Sequence, residues 1–404
     1  MAERLNFEQL EQIKKEMNVH DIYSFSKVNL YKTDPYSYFL KYILRVPEDK
    51  ADSIYSYCGT LVHDLTEQFQ ADQITKEKML ETYNDKTFEL EALGYKFDRT
   101  DEEKNELISK KYHACNRHFL NNFKKIEGIN GISESHVIIK IGKFLFVGYI
   151  DYQHIEVNDD NIKQLYITDF KTSTIYSKDK AQKEKMQLLL YSLGHIQSGW
   201  DIANIKSRWC FTKYINVDVM QKKKIDGEYT WKSRQIERNE IGSKLSVSAQ
   251  MWLKHTERYN EEEINDFIVD MLVTNSIDNL PNDVKEKFKI SDCYVYIDIS
   301  KEEIDELVND FVSTIHEMKI KEGEYNRTKD DKVFWTEVTK ENEYFLAVLS
   351  GYSKDLHKPY AMYLQQKELD SQGIVFSTDK DKTNKNKLKN DDIDIMALLA
   401  ELEE

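Results

Sequence analysis

The stretch from Gly148 to Lys171, which reads GYIDYQHIEVNDDNIKQLYITDFK, constrains the fold more than any other part of the chain. Its pattern predicts two adjacent strands, of which the first carries Asp151 and the second ends with Asp169 and Lys171. Side chains two residues apart in a strand point to the same face, so Asp169 and Lys171 project together while Phe170 projects to the opposite side. Charged groups at the end of a buried strand cost desolvation free energy unless something uses them. Two carboxylates that bind a divalent cation, with a lysine beside a reacting water, would be such a use.

Four short motifs follow one another along the chain, each on a plausible type of element. They are Gly59-x-x-x-His63, Gly148-x-x-Asp151, Asp169-x-Lys171 and Gln187-x-x-x-Tyr191. In this order they resemble the motifs of the PD-(D/E)XK nucleases, and in particular of the RecB-like branch. That branch includes the nuclease domains of bacterial recombination helicase–nucleases, CRISPR-associated nucleases and many phage nucleases. The resemblance covers roughly residues 22 to 215.

The resemblance implies an α/β fold in which helices flank a mixed central sheet, as in restriction endonucleases. We expect residues 1–215 to form the nuclease core with a helical insertion at about 74–127, and residues 216–375 to form a C-terminal α+β extension packed on it. Hydrophobic periodicity predicts the individual elements. The predicted helices are 5–18, 59–69, 180–197 and 301–320, and the predicted strands are 135–141, 144–155, 205–214 and 294–299.

The resemblance also implies a role for each motif residue. The metal ligands would be His63, Asp151, Asp169 and the backbone carbonyl of Phe170. The ammonium of Lys171 would orient or deprotonate the attacking water and stabilise the developing charge. Gln187 and Tyr191, one helical turn apart, would contact a phosphate or orient the lysine. The alternative for this pair is that both are polar groups on an amphipathic packing face.

Other charged residues near the motifs have two interpretations each. Glu67 lies one helical turn after His63 and is either a group just outside the metal ligands or a surface charge. Glu134 precedes the predicted hairpin and is either an additional acid near the site or a surface residue. Four lysines at the start of the predicted helix 180–197 either contact backbone phosphates or form a solvated face. They are Lys178, Lys180, Lys183 and Lys185.

The ligand set indicates which cofactors to expect. One imidazole and two carboxylates suit Mn²⁺ at least as well as Mg²⁺, so we expect either ion. Many RecB-like relatives carry a cysteine immediately before a proline as the first ligand of an iron–sulfur cluster, but here Asp34 precedes Pro35. The four cysteines are scattered and form no tight group, so we expect no iron–sulfur cluster. The chain has no G-x-x-x-x-G-K-[ST] motif, so we expect no nucleotide cofactor.

Charge and composition limit the class of protein. The net charge of −15 argues against a generally basic protein that coats DNA, but a nuclease can bind DNA in a local groove. No window approaches 18 apolar residues, so we expect no membrane span. Scattered cysteines fit a reducing compartment, and the expected location is the cytoplasm of a bacterium or of a phage-infected host cell.

The C-terminal part, residues 376–404, reads as a flexible linker followed by a short acidic helix, DDIDIMALLAELEE at 391–404. This helix would either dock on a partner, such as a helicase, a recombinase or another replication protein, or pack on its own domain. Together these patterns predict a metal-dependent deoxyribonuclease, an exonuclease that acts on DNA ends or single-stranded DNA in replication, recombination or repair. The alternative is a catalytically silent or partner-dependent nucleic-acid-binding subunit recruited through its C-terminal helix.

Overall fold

The computed structural model describes residues 5–19, 21–50, 53–98 and 101–372, and within these ranges seven strands form one mixed sheet. The strands are β1 (Ile22–Tyr23), β2 (Ile129–Ile141), β3 (Phe144–Val157), β4 (Lys163–Lys171), β5 (Ile205–Ile225), β6 (Glu228–Glu237) and β7 (Phe288–Tyr296). The predicted mixed α/β architecture with a central sheet is therefore confirmed.

The α-helices of the same ranges include two short ones that continue into π-helical segments, Phe39–Leu44 and Phe345–Leu349. They are α1 (Phe7–Met17), α2 (Phe25–Thr33), α3 (Pro35–Tyr38), α4 (Ile54–Gln70), α5 (Lys76–Ala92), α6 (Glu102–Asn122), α7 (Lys178–Gln197), α8 (Ile241–Thr256), α9 (Glu261–Thr274), α10 (Asn282–Lys285), α11 (Lys301–Thr328), α12 (Lys340–Tyr344) and α13 (Lys358–Ser371). None of the helices in the described ranges is long and apolar enough to cross a membrane.

The centre of the sheet is an antiparallel meander followed by a parallel crossover. β2 pairs with β3 and β3 with β4, both antiparallel, and the chain then passes through α7 to place β5 parallel to β4. β7 lies along the other edge of β5, while β6 continues the β4 edge beyond the point where β4 ends. The last residues of β4 therefore lie where β6 replaces β4 as the neighbour of β5 on that edge.

Local sequence explains where the key elements begin and turn. The β2–β3 hairpin turns at Gly142, whose φ of 58° is readily adopted by glycine. The helix α4 begins after Ser53, and α7 begins after Ser177, and each serine side chain accepts a hydrogen bond from a backbone N–H of the first turn. β4 is buried on both faces between helical layers, which explains its continuous apolar run Leu165–Ile167.

Helices cover both faces of the sheet. One face packs against α7, α11 and the α2–α3 region around Ile139, Ile167 and Trp209. The other face packs against α4, α5 and α6, and its core contains Phe170 and Cys210. A further apolar core forms where the distal halves of β5 and β6 pack against α8, α9 and α10. The candidate site lies where α4 and α7 approach the same end of β4 from opposite faces.

Several expected elements are longer than their sequence pattern indicates. The region at about 74–127, expected to be a helical insertion, contains α5 and α6. The predicted strand 205–214 continues to residue 225, so the expected core boundary at residue 215 falls inside β5. The strand expected at 294–299 is β7, which begins at residue 288 and ends at 296, and the following helix extends to residue 328. The expected linker and acidic helix at 376–404 lie outside the described residues.

Candidate active site

Asp151 is the residue around which the candidate site assembles. β3 and β4 stop pairing at Tyr152 and Thr168, and beyond this point the backbone N–H of Phe170 donates to the Asp151 Oδ2 carboxylate oxygen at 2.8 Å. The Nδ1 atom of His63, on α4, lies 3.5 Å from the same oxygen. One carboxylate therefore joins α4, β3 and β4 at the end of the sheet.

Asp169 and Lys171 form the second part of the site. They share one face of β4, and the Lys171 Nζ atom lies 2.7 Å from Asp169 Oδ2. Asp169 is only 4% exposed, and its Oδ2 atom makes no hydrogen bond of good geometry despite this ion pair. Phe170 points to the opposite face and packs with the α4–α6 layer. The structure thus has the alternation expected from the sequence, with Asp169 and Lys171 on one face of β4 and Phe170 on the other.

Burial and neighbouring charge both act on the Asp151 carboxyl. Loss of solvent raises its pKa to about 6, and the negative charge of Asp169 acts in the same direction. His63, Lys171 and the Phe170 N–H oppose this effect without cancelling it. The Asp169 carboxylate thus lies close enough to disfavour the ionised form of Asp151, which a bound cation would relieve.

Lys171 lies in a strongly anionic environment. Burial alone would lower its pKa, but Asp169, Tyr176 and Asp151 outweigh that effect and raise the pKa above the usual value for lysine. The side chain is therefore an ammonium ion held against Asp169. This geometry suits charge stabilisation and hydrogen bonding better than proton abstraction, which would need the neutral amine.

The glycines of the motifs act by leaving space for other motif residues. A Cβ atom at Gly148 would lie 2.4 Å from Cε1 of Tyr191, so the tyrosine ring packs directly on the β3 backbone. The Tyr191 hydroxyl accepts a hydrogen bond from Gln187 Nε2 at 2.9 Å. A Cβ at Gly59 would lie 3.3 Å from Thr172 Oγ1, so this glycine lets α4 approach the end of β4. The motifs are therefore linked by contact as well as by order.

Glu67 and Glu134 lie in the same cleft as part of the motif set. The cleft is lined by His63 and Glu67 of α4, by Glu134 of β2 and by Asp151 of β3. Burial raises the pKa of Glu67, and the charge of Glu134 adds to this. The Glu67 Oε1 atom is buried without a hydrogen-bond partner. Both acids thus line the same cleft as Asp151.

The four lysines at the start of α7 differ in their surroundings. Lys178, Lys180 and Lys183 are exposed, and the Lys180 ammonium lies 4.7 Å from the ring centroid of Tyr176. Lys185 is largely buried and forms an ion pair with Glu303 of α11. The first three are therefore open to a ligand, whereas Lys185 already has a counter-ion.

The donor groups fit a divalent cation without forming a closed cage. Within the described ranges, no three His, Cys, Asp or Glu side chains converge closely enough to hold a metal ion as they stand. The carboxylates of Asp169 and Asp151 and the imidazole of His63 are nevertheless the oxygen and nitrogen donors that Mg²⁺ and Mn²⁺ use. These groups would have to move closer together to complete such a set.

Sequence reasoning missed two neighbours of Lys171. Tyr176, in the loop after β4, lies close enough to act on the lysine electrostatically, and burial raises the pKa of its own phenol to about 12. Thr212 of β5 donates from Oγ1 to the Lys171 carbonyl at 3.4 Å. Neither residue belongs to a motif, and the only signal was the position of Thr212 in the strand predicted to follow.

Comparison with known proteins gives one family. Residues 22–267 match the family model described as the PD-(D/E)XK nuclease superfamily, which is more than half of the 404-residue chain. The match begins at β1 and ends in α9, so it contains α4, β3, β4 and α7 and extends past the expected core boundary at residue 215. No curated protein matches the chain.

Proposed function

Because the chain belongs to the PD-(D/E)XK nuclease superfamily, whose members are hydrolytic, metal-dependent nucleases, we propose that it is a deoxyribonuclease of the RecB-like branch. Its substrate would be DNA ends or single-stranded DNA, cleaved as an exonuclease in replication, recombination or repair. The order of the four motifs and the end-of-strand geometry support this more specific assignment.

One observation carries the proposal. Asp169, 4% exposed, is held with Lys171 at the end of a buried strand, and Asp151 lies beside it with a pKa raised by burial. Such an arrangement costs folding free energy, because two carboxylates and an ammonium are taken from water with incomplete pairing. A scaffold without chemistry would have no use for that cost, whereas phosphodiester hydrolysis needs this combination of groups.

We assign roles from the contacts. Lys171 orients the attacking water by hydrogen bonding and stabilises negative charge that develops at the phosphate. Gln187 holds the Tyr191 hydroxyl, whose hydrogen is left to donate to a phosphate oxygen or to a water. The exposed Lys178, Lys180 and Lys183 bind backbone phosphates next to the site.

A divalent cation would be held by His63, Asp151, Asp169 and the Phe170 carbonyl, and when bound it would neutralise charge on the phosphate oxygens. Asp151 contributes in a second way, because its hydrogen bond from the Phe170 N–H fixes the backbone that carries that carbonyl. Glu67 and Glu134 would lie next to the ligands and favour a cation electrostatically.

The test is digestion of end-labelled linear single strands, linear duplexes, closed circles and a labelled RNA, each with Mg²⁺, Mn²⁺ or EDTA. We expect metal-dependent loss of linear DNA with circles spared, and the position of the label gives the polarity. Asp151→Ala, Asp169→Ala and Lys171→Ala should each reduce cleavage by at least about 10³-fold, since each removes a group that acts on the reacting phosphate. Lys301→Ala, on the exposed surface of α11, is the matched control and should cleave like the wild type.

Each other outcome has a defined meaning. Cutting of closed circles would make the protein an endonuclease, and preferential loss of RNA would change the substrate. Undiminished cleavage by all three folded site variants would refute the assignment of these residues. No cleavage by folded wild-type protein with any metal would favour a partner-dependent subunit, and the next step would be to identify what residues 391–404 bind.

A further inference from the structure

A gap in the sheet lies directly beyond the Asp169–Lys171 pair. The last residue of β4 paired with β5 is Lys171, opposite Phe211, and on the same edge the pairing with β6 starts at Tyr214, opposite Glu237, the last residue of β6. Thr212 and Lys213 therefore occupy the interval between the two neighbouring strands. The register of β5 with β7 also shifts between Cys210 and Ile215, and such an irregularity re-aims side chains. Lys213 is the charged residue in this interval.

Lys213 is a partly buried cation that forms no ion pair with any residue in the described ranges. Its Nζ atom lies 5.6 Å from the ring centroid of Tyr112. The nearby acid Glu237 already pairs with Lys111 and accepts a hydrogen bond from the Tyr214 hydroxyl at 3.0 Å. Burial lowers the pKa of Lys213, and the nearby Cys115 and Glu237 oppose this effect without cancelling it, while Lys111 adds to it. The ammonium thus has room for an anion as its partner among the described residues.

We propose that Lys213 is a phosphate-binding residue that positions the substrate strand one step beyond the scissile phosphate. This rests on the proposed nuclease function and adds to it a direction for the bound strand. Phe211 is the β5 partner of Lys171, and Lys213 lies two residues further along β5. This separation corresponds to about 7 Å at the rise of a strand. A lysine side chain spans such an offset easily and binds a phosphate as a point charge.

A purely structural role predicts different behaviour. The ammonium of Lys213 lies over the ring of Tyr112, and a methionine at this position would keep an unbranched side chain of similar length while removing the charge. An arginine would retain the charge and could bind the phosphate. Lys206, partly exposed near the other end of the same strand, provides a matched control for the loss of one lysine from β5.

The experiment measures binding and turnover of a 5′-fluorescent single-stranded oligonucleotide with wild type, Lys213→Met, Lys213→Arg and Lys206→Met. Binding is followed by fluorescence anisotropy in EDTA at several salt concentrations, and turnover in Mg²⁺ or Mn²⁺. We expect Lys213→Met to raise Kd and KM about tenfold with kcat within about twofold, as for one lost charged hydrogen bond. The slope of log K against log salt should become less steep by about 0.7, as expected for one phosphate contact on a single strand. Lys213→Arg should restore most of the affinity, and Lys206→Met should match the wild type.

The possible results separate the two levels of the proposal. An active wild type with unchanged Kd and salt slope in Lys213→Met would overturn the role of Lys213 and leave the nuclease assignment intact. A wild type that binds DNA without cleaving it would contradict the nuclease proposal. In that case the salt slope of Lys213→Met compared with that of the wild type would still show whether Lys213 binds a phosphate. Equal weakening by Lys213→Met and Lys206→Met would also overturn the inference, because it would indicate a general charge effect. A wild type that binds neither DNA nor RNA would refute both.

Discussion

At the scale of single residues, the site depends on the space that the motif glycines leave as much as on the groups that the other motif residues supply. Gly148 and Gly59 carry no side chain, and this absence allows Tyr191 and Thr172 to lie where they do. Asp151 accepts from the Phe170 N–H, so it positions β4 whether or not a metal is bound. Single substitutions can therefore separate positioning from chemistry.

Replacing Gly148 by alanine should impair the site while leaving the fold largely intact. The added Cβ would lie 2.4 Å from Cε1 of Tyr191, so the ring must move and the Gln187–Tyr191 hydrogen bond is disturbed. We expect cleavage to fall about 10²-fold, as for other small misplacements of a positioning group. Gly323→Ala is the control, because a Cβ there meets nothing within 4 Å and should stabilise α11 by about 0.5–1 kcal/mol. Equal activity of the two variants in the oligonucleotide assay would contradict this account.

His113 should make stability depend on pH. Its ring is 3% exposed, and burial lowers its pKa to about 4. In the unfolded chain histidine takes a proton near pH 6.5, so the free energy of unfolding should fall between about pH 6.5 and pH 4, by up to about 3 kcal/mol, and should show no such effect above pH 6.5. Urea unfolding at a series of pH values tests this. The difference in stability between wild type and His113→Gln should shrink as the pH falls, whereas His255→Gln, at an exposed position, serves as the matched control.

At the scale of elements, one buried pair connects the beginning of the sheet domain with its last described helix. Asp34 caps α3 by accepting from the Ser37 N–H at 2.7 Å, and the same oxygen lies 2.7 Å from Nε2 of His357. His357 Nδ1 accepts from the Tyr360 N–H in the first turn of α13, so Nε2 must carry the hydrogen that is donated to Asp34. Both side chains are almost completely buried. A single carboxylate therefore stabilises two helix starts.

Removing this carboxylate should destabilise the protein more than removing an ordinary cap. Asp34→Ala loses the α3 cap and leaves a buried imidazole N–H unpaired, so we expect a cost of about 3 kcal/mol in the free energy of unfolding. Asp101→Ala removes the exposed cap of α6, whose carboxylate accepts from the Lys104 N–H, and should cost about 1 kcal/mol. Equal shifts of the urea midpoint for the two variants would show that the contact with His357 adds nothing to the free energy of unfolding.

At the scale of the whole molecule, the C-terminal part shares its core with the motif-bearing part. Ile304, Leu307, Phe311 and Ile315 of α11 lie in the same apolar cluster as α7 and the sheet. β7 supplies the partner along the outer edge of β5. The family match ends at residue 267, before either element begins.

Truncation at the end of the family match should therefore prevent folding. A fragment of residues 1–267 would expose the apolar surface that α11 covers and leave the β7 edge of β5 unpaired. We expect this fragment to show no cooperative thermal transition and to be degraded rapidly in limited proteolysis. A fragment of residues 1–372 should unfold cooperatively like the full chain. A folded, protease-resistant 1–267 fragment would show that the first part is independent.

The acidic C-terminal segment gives a further prediction at this scale. If residues 391–404 recruit a partner, their deletion should leave cleavage of naked DNA unchanged and abolish capture of the partner by the full-length protein. Unchanged capture would assign partner binding to another surface. Reduced cleavage of naked DNA would instead indicate that the segment acts on its own domain.

The sequence by itself determined the local features of this protein. Alternation along β4 set Asp169 and Lys171 on one face and Phe170 on the other, because side-chain direction in a strand depends only on position. Serine caps and the Gly142 turn similarly mark where α4, α7 and the β2–β3 hairpin begin or turn. The motif order indicated the family, since each motif is short and lies within one element.

Only the tertiary structure decided which distant residues meet. The approach of His63 to Asp151, the Asp34–His357 pair and the place of Lys213 beside the end of β4 depend on how helices cross the sheet and where strands end. The full extents of β5 and α11 were likewise set by neighbours that cover them, because a strand edge or an apolar helix face is stabilised by its partner rather than by its own sequence. Contacts between residues far apart in the chain have no local period, and this is why the motifs could be read from the sequence while their joint geometry could not.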